Sequence, residues 1–163
     1  MQPFTASVSK TETAAAAATP RRLVENDCMR VSAKVDYALR ALAELAAADP
    51  GQPVTAERLA SAQEIPPKFL ENILLELRRA EIVASRRGAE GGYRLAKPAA
   101  EISLADVIRA VEGPIATVRG ARPEDVAYTG PAAGLRDVWI DLRTSMRGVL
   151  EEISLADVVE RSR

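Results

Sequence analysis

Apolar residues recur at three- and four-residue steps from Ser32 onward. Val35, Ala38, Leu39, Leu42, Leu45 and Ala46 form one stripe, which predicts a helix capped by Ser32 and ended by the Asp49-Pro50-Gly51 cluster. A second helix is predicted from its cap Thr55 to about Gln63, with Ala56, Leu59 and Ala60 facing inward. After a break at Glu64-Ile65, Pro66-Pro67 opens a third helix, because the missing proline N–H has no helical partner in a first turn anyway. Phe69, Leu70, Ile73, Leu74 and Leu77 are its expected buried stripe. The period then shortens to two: IVASRR and YRLA flank the glycine-rich GAEGG, which predicts a β-hairpin from Ile82 to Ala96 with arginines at its tip. Two helices joined by a tight turn and followed at once by a basic hairpin make a winged helix-turn-helix.

Beyond the hairpin, Ser103 to Glu112 reads as a short helix ended by Gly113-Pro114, and residues 114 to 133 as a loop. Leu135 to about Glu151 is the longest clean helix of this half. Its apolar residues Leu135, Val138, Trp139, Ile140, Leu142, Met146, Val149 and Leu150 cover more than the stripe one core requires, so two faces imply two partners. The fold class expected is mainly α with a small β-hairpin wing, a winged helix-turn-helix plus a long C-terminal dimerisation helix. Residues 1–28, with TETAAAAATP and few large apolar side chains, are expected to be a disordered arm; 29–98 the reading domain; and 99–163 linker and dimerisation helices.

The heptapeptide EISLADV occurs twice, at Glu101–Val107 and Glu152–Val158, with unrelated flanks. Each copy reads as a helix start. Ser103 or Ser154 is the cap, Asp106 or Asp157 closes a capping box, and Ile102 with Val107, or Ile153 with Val158, forms a hydrophobic staple.

Composition narrows the chemistry. The 163 residues contain no histidine and one cysteine, Cys28, which removes Cys/His metal sites, Cys-His pairs and Ser-His-Asp triads. No residues mark an enzyme, and no metal or cofactor is expected. No apolar run approaches the ~18 residues of a membrane span, and residues 1–28 do not read as an export signal, so a cytoplasmic location is expected. Net charge is −1, yet residues 29–98 carry eleven Lys/Arg against nine Asp/Glu. Within them Arg78, Arg79, Arg86, Arg87, Arg94 and Lys97 stand against Glu81 and Glu90 alone, a local patch suited to phosphate.

MRVSAKVDYALRALAELA, IPPKFLENIL, RRGAEGGYRLAKP, ISLADVIRAVEGP and LRDVWIDLR...ISLADVV together resemble the Rrf-two family of bacterial winged-helix transcription regulators, over Met29 to about Val159. The resemblance implies a homodimer on double-stranded DNA, a repressor at a palindromic operator, paired through the long helix. Leu135, Val138, Trp139, Leu142, Met146 and Val149 are the interface candidates; a contact of Trp139 within one protomer is the alternative. Some members of the family hold an iron–sulfur cluster on three cysteines in the loop before that helix. Here Ile115 to Ala133 has none, so the chain looks most like the cluster-free, CymR-like branch. The signal it would answer, a small metabolite, a partner protein or redox at Cys28, stays open. The family usually has glycine where this chain has Glu81, at the end of the third helix, and a left-handed cap there costs a non-glycine residue about 1 kcal/mol.

In such a fold the front of the third helix enters the major groove. Pro66, Pro67, Lys68, Glu71 and Asn72 are therefore the reading candidates: Glu71 toward a cytosine amine, Asn72 toward adenine, Lys68 toward phosphate. Arg86 and Arg87 would enter a minor groove from the wing. Ser32, Lys34 and Tyr37 would hold the DNA backbone, with Tyr37 equally suited to the core. The plain alternative for each is a solvated face, and for the whole chain a winged helix that docks a protein and never touches DNA.

Overall fold

The computed structural model describes residues 31–49 and 51–162. Cys28 and the expected arm fall outside the described residues, as does Pro50. Helix α1, Ala33–Ala47, starts where Ser32 Oγ accepts the Val35 N–H at 3.1 Å, and it buries Val35, Ala38, Ala41, Leu42 and Leu45. Helix α2, Ala56–Gln63, starts where Thr55 Oγ1 accepts the Arg58 N–H. It ends at Glu64, which turns left-handed at φ 51° so that the Ile65 N–H reaches the Ala60 carbonyl at 2.9 Å and the Ile65 side chain enters the core. Helix α3, Pro67–Arg79, follows after this tight turn and buries Leu70, Ile73, Leu74 and Leu77. Phe69 departs from the expected stripe. It is 60% exposed, because the buried set starts at Leu70 and Phe69 lies a residue, about 100°, off that line.

The end of α3 uses Glu81 as glycine would be used. Its φ is 57°, its N–H donates to the Arg78 carbonyl at 3.1 Å, and the next N–H, of Ile82, donates to the Leu77 carbonyl at 2.9 Å. Leu77 and Ile82 are both buried, which completes a Schellman closure with its hydrophobic contact.

Strands β1 (Val83–Arg86) and β2 (Gly92–Leu95) pair antiparallel, Val83 opposite Leu95 and Arg86 opposite Gly92. A bond from the Ala96 N–H to the Ile82 carbonyl carries the pairing to the expected ends of the hairpin. Val54 adds a third, single-residue rung: it exchanges both backbone bonds with Tyr93, each 2.8 Å. Gly92 is required at this seam, since a Cβ there would stand 2.6 Å from the Val54 carbonyl oxygen.

Helix α4 spans Leu104–Glu112, α5 Leu135–Glu152 and α6 Leu155–Glu160. Between α4 and α5 the expected loop has internal order: single 3₁₀ turns at Pro123–Asp125 and Gly130–Ala132, with Ile115, Pro123 and Val126 buried. One hydrophobic core runs from α1, α2, α3 and β1 into Ile102, Val107, Val111 and Leu155. The core is therefore continuous across Pro98.

Both EISLADV copies form capping boxes, as Ser103 with Asp106 and Ser154 with Asp157. They also bond to each other. The Leu104 N–H donates to the Ile153 carbonyl at 2.9 Å and the Leu155 N–H to the Ile102 carbonyl at 3.0 Å, so that Ser103 stands opposite Ser154 in an antiparallel bridge. The two helix starts expected from the sequence meet in one joint. Identical chemistry on both sides lets it close symmetrically over the buried Ile102 and Leu155. Hydrogen bonds from the Ser154 hydroxyl and then the Ser154 N–H hold the Asp157 carboxyl below the usual carboxylate range, and the Arg161 charge adds to this.

Candidate nucleic-acid interface

Pro66, Pro67, Lys68, Phe69, Glu71 and Asn72 are all exposed on the first turns of α3. Four buried side chains on the opposite face fix that helix against the core, so the exposed front is presented on a rigid element. The wing is fixed from both sides as well. Its strands pair with each other and β2 pairs with Val54, while a Cβ on Gly91 would stand 2.5 Å from the Arg86 carbonyl oxygen, so the turn closes tightly on glycine. Arg86 ends β1 and Arg87 opens the turn; both are exposed. Among the described residues Lys68, Arg86 and Arg87 make no ion pair, which leaves three cations for an external anion.

Lys34 has partners inside the domain. Its ammonium lies 2.7 Å from Glu76 Oε2 on α3 and donates to the Val111 carbonyl on α4 at 2.6 Å. The helical register explains this: Lys34 stands one turn before Ala38 and beside Val35, at the edge of the buried face, so its stem runs along the core and its head meets the neighbouring helices. The side chain ties three helices together. Ser32 is half-buried and its hydroxyl oxygen is occupied by the cap. Tyr37 is half-buried too, edge-on to Phe69 with ring centroids 6.5 Å apart and with the Arg40 guanidinium 5.5 Å from its ring centre. Phe69 thus joins α1 to the front of α3, a placement the sequence stripe missed. Its offset from the Leu70–Leu77 line was the available signal.

Along α5 no residue is fully buried. Leu135 (41%), Val138 (55%) and Val149 (59%) are open to solvent, and Trp139, Leu142 and Met146 are half-buried against their own protomer. Leu135, Leu142 and Val149 are seven residues apart with Val138 between them, which is the spacing of a coiled-coil seam. The Trp139 indole N–H is covered within the protomer and has no acceptor there.

An iron–sulfur centre needs thiolates, with histidine the usual substitute. The segment between α4 and α5 has neither, and among the described residues no group of three Cys, His, Asp or Glu side chains is placed to hold a metal ion. The donor set does not fit a cluster.

Residues 31–161 match the Rrf2 family model, described as iron-dependent transcriptional regulator. The chain is 55% identical over 130 residues to the HTH-type transcriptional regulator Rv1287 of Mycobacterium tuberculosis, covering 80% of this chain and 81% of the relative. The solved structure of CymR, the global cysteine regulator of B. subtilis, superposes with TM-score 0.70 at 31% identity, over 82% of this chain and 98% of that one. IscR of T. potens gives TM-score 0.68 at 30% identity, over 83% and 89%. These relatives are transcription regulators rather than enzymes, and they share the winged helix and the helix that follows it. The chain belongs to the Rrf2 family of DNA-binding transcriptional regulators.

Proposed function

We propose that the chain is a homodimeric repressor that reads a palindromic operator in the bacterial cytoplasm and works without an iron–sulfur cluster. Each protomer sets the front of α3 in a major groove, with Glu71 and Asn72 toward base edges and Lys68 toward phosphate, while Arg86 and Arg87 enter the adjacent minor groove. The observation that carries this reading is the contrast between cations. Lys34 is paired inside the domain, whereas Lys68, Arg86 and Arg87 stand exposed without a carboxylate partner among the described residues. The heptad spacing of Leu135, Leu142 and Val149 supports pairing through α5, and a two-fold dimer calls for a two-fold operator. The cysteine-free segment before α5 supports the cluster-free state. The test is operator selection from random duplex DNA, followed by titration at several salt concentrations. The selected site should be palindromic, and log affinity should fall by roughly 0.9 per phosphate contact for each unit of log salt. Salt-independent binding, or no enriched site, would favour a protein-docking winged helix.

A further inference from the structure

A cleft of about 610 Å³ lies where the end of α4, the segment after it and α5 meet; it is lined by Arg109, Arg122, Arg143, Arg147, Glu151 and the Gly113-Pro114-Ile115 turn. Its size falls within the roughly 300–1,000 Å³ of small-molecule sites. Its charge is unusual for a protein of net −1, with four guanidiniums and a single carboxylate, Glu151, in the lining. These arginines are not a solvated run along one helix. They come from three segments, and Arg143, Arg147 and Glu151 stack at four-residue steps on the face of α5 that closes the cleft.

The internal pairing leaves positive charge over. Arg109 and Arg147 share Glu151, the latter at 3.1 Å, and Arg109 also has Asp106 at 3.6 Å. Arg143, whose side chain is only 15% exposed, is matched by Glu124 at 2.6 Å. Arg122 has no carboxylate partner among the described residues. A planar guanidinium fork suits two-oxygen recognition of carboxylate or phosphate, and several converging forks in one cleft suit a ligand with more than one anionic group.

We propose that this cleft is the effector site of the regulator and takes a small organic dianion bearing carboxylate or phosphate groups. Arg122 and Arg147 hold the anion and Ile115 covers its carbon part. The proposal rests on the operator-reading function above, and it supplies a ligand class where the donor set rejects a cluster. Because α4 shares the core of the winged helix and α5 carries the dimer seam, a ligand bridging them acts on the angle between reading and pairing parts.

Inorganic phosphate, succinate and citrate are the probes, titrated calorimetrically into the full chain at matched ionic strength, with operator affinity measured by anisotropy with and without saturating probe. At least one probe should bind saturably, and Arg122→Ala and Arg147→Ala should each weaken it tenfold or more, with Arg122→Lys recovering part. Operator affinity should shift at least threefold with probe in the parent chain and not in the variants. Phosphate binding alone, or succinate and citrate binding alone, supports the site and names the group it prefers. Absence of saturable binding, binding that survives both substitutions, or binding without any shift in operator affinity overturns the proposal. So does a loss of operator affinity in the unliganded Arg122→Ala chain, which would make these arginines DNA contacts. Failure of the parent chain to bind any operator would instead remove the function on which the proposal rests.

Discussion

Replacing Glu81 with glycine should make the protein more stable. Glu81 is held at φ 57°, where a residue with a Cβ pays about 1–2 kcal/mol relative to right-handed backbone. Glycine removes that strain but loses about 0.5–1 kcal/mol more backbone entropy on folding. The difference is a net gain of about 0.5–1 kcal/mol, provided that the Glu81 side chain contributes little; it is exposed and makes no ion pair among the described residues. For a chain of 163 residues that is a rise in Tm of about 1–4 °C. Denaturant titration at fixed protein concentration is the assay, because dimer formation would make stability concentration-dependent. The midpoint should rise while the slope stays constant. Glu81→Ala is the control, since alanine keeps the left-handed strain and should gain nothing comparable. If glycine is neutral or destabilising, or if alanine stabilises equally, the Schellman closure at the end of α3 is not under the strain described.

Further outcomes follow from the same contacts. Lys34→Ala should lower stability by about 1 kcal/mol, given that both partners are about one-third exposed and the pair is screened, yet leave operator affinity and its salt slope unchanged well below Tm; a slope reduced by one unit would make Lys34 a phosphate contact. Val138→Asp puts a charge from each protomer into the α5 seam and should weaken self-association at least tenfold in sedimentation velocity, whereas a parent chain that is monomeric at about 50 μM would remove the dimer. Asp157→Asn should shrink the acid dependence of stability. Asp157 has a lowered folded pKa, so its contribution is complete above the ordinary value of about 4 and is lost as pH falls through the lowered one. The Tm difference between parent and variant should therefore close below that range, and a constant difference down to pH 2 would mean that the capping box does not titrate.

How much of this was legible in the sequence depends on the range of the interaction. Caps and periods are local, so Ser32, Thr55, Ser103 and Ser154 could be named as helix starts, and the wing as a hairpin, from neighbouring residues alone. Phe69 is harder to place, because FLENILLEL offers two adjacent apolar residues for one inward position, and only the spacing of Leu70, Ile73, Leu74 and Leu77 sets Phe69 off the buried line. The Lys34–Glu76 pair spans 42 residues and has no local signature. The bridge between the two EISLADV copies is similar: the cap chemistry can be read from one copy, but their mutual hydrogen bonds exist only once α4 and α6 have packed on α1. The four arginines of the cleft look like ordinary helix and loop charges until three segments converge. At the interface, the exposure of Lys68, Glu71, Asn72, Arg86 and Arg87 agrees with the sequence reading, but exposure alone assigns no base to any of them.

Operator affinity of Arg87→Ala against the parent chain, at one salt concentration and on the same selected duplex, tests the central claim most directly. Arg87 is exposed and unpaired among the described residues, so its loss should leave Tm within about 1 °C while weakening specific binding at least tenfold, about 1.4 kcal/mol. Unchanged affinity with unchanged stability would take the wing out of operator recognition and contradict the account.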